Sequence, residues 1–169
     1  TKLPGITLTG ANVFANNGYT GLTVYSYGTI TLNNVGALNN GGYGAEVDNC
    51  DYTAGACTAT VAKPVTFNGL NNFSYNLFDG LWVNSLGAIT AKQVTASYNG
   101  GIGAYLDNQF DFKNFNITLS GYNVFNYNGS TGLEAYSNGN LLMSNLTASY
   151  NQENGANLNN SGGTLVRNL

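Results

Sequence analysis

The chain has 169 residues, a length that suits one domain of ordinary size. Only 8% of them are charged, with five Lys and Arg, eight Asp and Glu and no His, for a formal net charge of -3. That balance excludes a nucleic-acid binder, which needs a basic stripe against the phosphates. No apolar run reaches the length of a membrane span. The recurring Phe, Tyr, Ile, Val and Leu separate the chain from disordered sequences of low charge. An ordered, Asn-rich β structure is expected.

The opening TKLPGITLTG does not read as a signal peptide, so the expectation is a mature or excised segment. Next comes GITLTGANVFANNGYT, a partial repeat, and then the first full phrase, GLTVYSYGTITLNNVGALNN, at Gly21. The phrase recurs at Gly80 as GLWVNSLGAITAKQVTASYN and at Gly132 as GLEAYSNGNLLMSNLTASYN. Weaker copies stand at Gly44, Gly103 and Gly155. The six origins are 23, 36, 23, 29 and 23 residues apart. Repeats of about 20 to 40 residues point to a solenoid, and the alternation of spacings makes the true unit a pair of turns.

After each Gly runs a short strand with period 2. Leu22 and Val24, Leu81 and Val83, and their counterparts share one face; Thr23, Glu46, Trp82, Tyr105, Glu134 and Asn157 take the other. The fifth place alternates Ser26, Asn49, Ser85, Asn108, Ser137 and Asn160, which ends the strand with a local side-chain bond. A second strand follows at Ile30 and Leu32, Val65 and Phe67, Ile89 and Ala91, Ile117 and Leu119, and Leu141 and Met143, with Ile6 and Leu8 opening the series. A third element covers 35–37, 94–96 and 146–148. Three short strands per turn predict an all-β, right-handed parallel β-helix. About seven turns stacked roughly 4.8 Å apart would make a rod about 30 to 35 Å long.

Two columns are singled out. Seven residues before each Gly, Phe14, Phe73 and Phe125 alternate with Ala37, Ala96 and Ala148, so large meets small inside the coil. Four residues before each Gly stands Asn without exception: Asn17, Asn40, Asn76, Asn99, Asn128 and Asn151. Stacked in register, these amides would bond to one another as a ladder; the alternative is an Asn that merely marks a solvent-facing turn.

The template breaks clearly once, at DNCDYTAGACTATVAKP, residues 48–64. Cys50 and Cys57 within it allow a small loop disulfide, which would indicate export, or two free thiols. Zinc is not expected, because no further Cys and no His exist to complete four ligands.

These phrases resemble the right-handed parallel β-helix repeats of the pectate-lyase-like superfamily, and more closely the repeat regions of large secreted or cell-surface, adhesin-like bacterial proteins. The resemblance covers nearly the whole chain. It implies a structural or adhesive segment of an exported surface protein, one domain over 1–169 within a longer repeat array, with neighbouring repeats of the same chain, glycans or cell-surface components as partners. It also implies a less favoured enzyme reading, a polysaccharide lyase or hydrolase.

Hydrolysis needs paired carboxylates at a suitable separation. Asp48, Asp51 and Asp107 are the nearest to candidates, yet Asp48 and Asp107 are expected two turns and about 10 Å apart, with Asn84 and Tyr136 in the same column. No catalytic residue, cofactor or metal ligand is therefore assigned. For binding, the outward Tyr25, Trp82, Tyr105 and Tyr136 form an aromatic platform suited to sugar faces, with Trp82 and Tyr105 on adjacent turns. An ice-binding face would need regular Thr rows, and Thr23 has no Thr counterpart at its offset.

Overall fold

In the computed structural model, which describes residues 3–53, 56–110 and 113–162, the phrases stack as turns of one coil. Three six-stranded sheets run along it, and every neighbouring pair within them is parallel. The first sheet takes Ile6–Leu8, Ile30–Asn33, Val65–Asn68, Ile89–Lys92, Ile117–Ser120 and Leu141–Met143. The second takes Asn12–Ala15, Val35–Leu38, Asn71–Asn72, Val94–Thr95, Asn123–Val124 and Leu146–Thr147. The third takes the strands after each phrase Gly: Leu22–Tyr25, Ala45–Asp48, Leu81–Asn84, Ala104–Asp107, Leu133–Tyr136 and Ala156–Asn159.

The architecture is a right-handed parallel β-helix of six turns, one fewer than the sequence reading expects. The partial repeat before Gly21 is the reason. It supplies the first two strands of the turn that Leu22–Tyr25 completes, so it adds no turn of its own.

Inward residues stack by type. Ile6, Ile30, Val65, Ile89, Ile117 and Leu141 form one column. Phe14 pairs with Ala37, and Phe73 and Phe125 are fully buried alongside Ala37 and Ala96. Phe67 lies edge-on to Phe73, with centroids 5.9 Å apart, and Ala91 beside it in register makes the room. Large-on-small stacking thus fills the interior without overpacking.

The Asn column is a hydrogen-bonded ladder. Asn99 is 3% exposed. Its Oδ1 accepts from the backbone N–H and Nδ2 of Asn76 at 3.0 and 3.1 Å. Its Nδ2 donates to Asn128 Oδ1 and to the Phe73 carbonyl, at 3.1 and 3.0 Å. Asn17, Asn40, Asn76, Asn128 and Asn151 continue the chain of amides. The ladder also dictates the invariant Gly. A Cβ on Gly80 would lie 2.6 Å from Asn99 Nδ2 and 2.4 Å from the Phe73 carbonyl, so only a hydrogen fits. Gly21, Gly44, Gly80, Gly103 and Gly132 each face the ladder Asn of the following turn.

Each turn bends through two left-handed residues. One precedes the ladder Asn: Asn16, Asn39, Tyr75, Tyr98, Tyr127 and Tyr150. The other, between the first and second sheets, alternates Gly10, Asn34, Gly69, Gln93, Gly121 and Asn145. The insertion at 48–64 carries a two-stranded antiparallel hairpin, Tyr52–Thr53 with Ala56–Cys57. Cys50 and Cys57 are disulfide-bonded.

Candidate functional site

The outward face of the third sheet carries every aromatic residue of the expected platform. Register places Thr23, Glu46, Trp82, Tyr105, Glu134 and Asn157 in one column and Tyr25, Asp48, Asn84, Asp107, Tyr136 and Asn159 in the next. Strand alternation fixes this, because Val24, Val47 and Val83 between them point into the core.

Trp82 and Tyr105 lie ring on ring, with centroids 4.1 Å apart and planes 16° from parallel. Tyr136 continues the aromatic surface diagonally, 5.6 Å from Tyr105 and tilted by 44°. Tyr43 meets Trp82 edge-on at 6.1 Å and Phe78 at 5.8 Å. Tyr25 stands apart, across a groove of about 360 Å³ lined by Tyr25, Tyr43, Glu46, Asp48, Asp51, Trp82 and Asn84. The structure therefore brings Trp82, Tyr105 and Tyr136 together and sets Tyr25 on the opposite wall.

The acids along this face are tied into local bonds. Asp48 Oδ1 accepts from the backbone N–H groups of Cys50 and Asp51 at 2.6 and 2.8 Å, so it shapes the start of the insertion. Asp51 Oδ2 accepts from Tyr27 and Thr58 hydroxyls, both at 2.5 Å, and those bonds hold its pKa below the ordinary carboxylate value. Asp107 accepts from Gln109 N–H at 2.8 Å and from the Tyr105 hydroxyl at 3.1 Å. Burial pushes its pKa up, against these bonds. Asp48 and Asp107 pair with opposite sides of Asn84, two strand spacings or about 9.5 Å apart. That is too wide for a retaining pair and at the outer limit of an inverting one.

The phenols of the face hold their protons. Burial, then the Glu46 carboxylate, pushes Tyr25 up to about 12. Burial and a 2.8 Å bond to Glu134 raise Tyr136 to about 12. Tyr105 rises further, through burial and Asp107. The O–H groups of Tyr105 and Tyr136 are taken by Asp107 and Glu134, so the face offers phenolic and carboxyl oxygens as acceptors, the Asn84 amide as donor and acceptor, and apolar rings. That set can cover a sugar face and bond its hydroxyls. Among the described residues, no group of three or more His, Cys, Asp or Glu could hold a metal ion, and no helix is long and apolar enough to cross a membrane.

Three features escape the sequence reading. Tyr43 lines the groove from a column that otherwise holds Thr20, Asp79, Ile102, Thr131 and Asn154, so no repetition marks it. Tyr75, Tyr98, Tyr127 and Tyr150 stack at the second corner with centroids 4.8 to 4.9 Å apart. The recurring Tyr-Asn pair before four of the ladder positions is the signal that marks them. Their rings cover one another, so edges and hydroxyls face solvent. Finally, a Thr row does exist, on the first sheet rather than at Thr23: Thr7, Thr31, Thr66, Thr90 and Thr118 are in register, ended by Leu142.

Fold and face together define a parallel β-helix module with an aromatic, acid-bordered groove on its outer surface. Comparison with models of known families, with curated proteins and with solved structures finds no match for the chain.

Proposed function

We propose that the chain is a non-catalytic β-helix module of an exported surface protein, and that the outward face of its third sheet binds carbohydrate. The observation that carries this reading is the Trp82–Tyr105 stack beside a groove walled by Tyr25, Glu46, Asp48 and Asn84. The rings supply an apolar surface, and hydrogen-bonding groups stand beside it. The Cys50–Cys57 disulfide supports export, since such bonds persist in oxidising compartments. A kinship with pectate-lyase-like repeats of adhesin-like bacterial proteins is part of the proposal and is supported by the architecture.

A glycan array followed by calorimetry tests the binding. At least one oligosaccharide class is expected to bind, and Trp82→Ala to weaken it by roughly tenfold or more, the size of a lost aromatic anchor. The circular dichroism of that variant should stay unchanged. Absence of any glycan ligand would remove the binding role. Release of reducing ends or of ultraviolet-absorbing unsaturated products from a polysaccharide would replace it with catalysis.

A further inference from the structure

The groove beside the aromatic stack is charged as well as aromatic. Tyr105 covers one face of Trp82 from the following turn. The other face of the indole looks back along the coil to the preceding turn, where Glu46 is its partner in register. Trp82 and Glu46 line the same groove, together with Asp48 and Asp51, and Tyr25 and Tyr43 add two further rings. Among the described residues, no Lys or Arg lines it.

Three carboxylates thus share one groove in a chain with only eight acids. Neutral donors hold two of them in place. Backbone N–H groups bond Asp48, and the Tyr27 and Thr58 hydroxyls bond Asp51. Those bonds order the carboxylates without supplying a positive charge. Glu46 takes the Tyr25 hydroxyl and keeps further lone pairs, since a carboxylate has about four acceptor sites. A concave site walled by one sign of charge concentrates the opposite sign from solution.

The acids surround the groove instead of gathering on one point. Among the described residues, no three acids, Cys or His are grouped so as to hold a metal ion. A larger cation, able to touch a ring and a carboxylate at once, matches that spread. An organic ammonium does so: the indole face attracts its charge, and a carboxylate on the adjacent strand takes its N–H groups. A neutral sugar would use the rings and leave the carboxylates without a counter-charge. On the proposal that this face binds carbohydrate, we infer that the groove selects sugars carrying a free, protonated amine, the ammonium bonded to Glu46 and set against the open face of Trp82.

Calorimetry with oligomers of glucosamine and of N-acetylglucosamine, equal in length and linkage, tests this. The glucosamine oligomer is expected to bind more tightly by roughly tenfold or more. The preference should shrink as salt rises. It should shrink again in Glu46→Gln, which keeps the shape of the side chain and removes its charge. Asp51→Asn is a second variant within the groove, and Asn suits the left-handed backbone there, φ 53°. Circular dichroism verifies that both fold. Equal affinities, or tighter binding of the acetylated oligomer, would overturn the inference and leave carbohydrate binding standing. So would a preference unchanged by salt or by both substitutions, because acetyl bulk and not charge would then set it. Binding of other glycans alone would have the same consequence. No binding of any glycan would remove the inference and the binding role together.

Discussion

At the scale of the residue, the fold rests on an amide that donates and accepts at once. Asn99 uses both capacities with backbone and side-chain partners on the turns either side of it. Asp would lose the donors and Leu would lose everything. Asn99→Ala removes four hydrogen bonds to buried partners, although Asn76 Nδ2 keeps the Ala37 carbonyl and Asn128 Oδ1 keeps the residue-99 backbone N–H, so it is expected to destabilise by about 1–3 kcal/mol. Chemical denaturation measures this directly, and an unchanged midpoint would contradict a structural ladder. The invariant Gly follows from the same amide. The ladder was legible, because Asn recurs in every turn at a fixed place; the fit of each Gly to the amide of the next turn was not, because the two meet across turns rather than along the chain. Nor were Asn12, Asn71 and Asn123. They recur only every second turn, and at the intervening places stand Val35, Val94 and Leu146, so an inward Asn looks there like an ordinary loop residue. Asn71 and Asn123 are nevertheless buried and bonded.

At the scale of the element, strand alternation divides the third sheet into an inner apolar face and an outer face where carboxylates and phenols meet. The outward placement of Tyr25, Trp82, Tyr105 and Tyr136 was legible because alternation alone assigns it. Tyr43 was not, since its role comes from its lateral neighbours Trp82 and Phe78 rather than from any repeat. The face also predicts a pH response. Burial raises the pKa of Asp107, and that of Asp79 at the neighbouring corner, above their unfolded values. Over that window the native state binds more protons than the unfolded chain, so stability falls as pH rises and recovers on acidification. Asp51, with its lowered pKa, acts in the opposite sense at lower pH. The Tm of Asp107→Asn is therefore expected to depend less on pH between neutrality and the ordinary carboxylate range than that of the wild type. Equal slopes would show that the carboxylate is not desolvated by the fold.

At the scale of the whole molecule, the coil has no centre: each turn contacts its neighbours, and stability accumulates along the axis. The solenoid was legible because the hydrophobic period, the corner residues and the spacing of the phrases all indicate the same architecture. The number of turns was less so, because a partial phrase can be counted as a turn of its own. The insertion at 48–64 fits the same logic, since a hairpin on one turn lengthens the chain without displacing the next.

The central claim is that residues one repeat apart lie directly above one another. Spin labels on the outward Thr column of the first sheet measure this. Thr7 and Thr118 are four strand spacings apart in register, and Thr7 and Leu142 are five. Pulsed dipolar spectroscopy on the two double-cysteine variants should give separations of about 19 Å and 24 Å, the second longer by one strand spacing. Equal separations, or a shorter one for Thr7 with Leu142, would contradict the stacked coil.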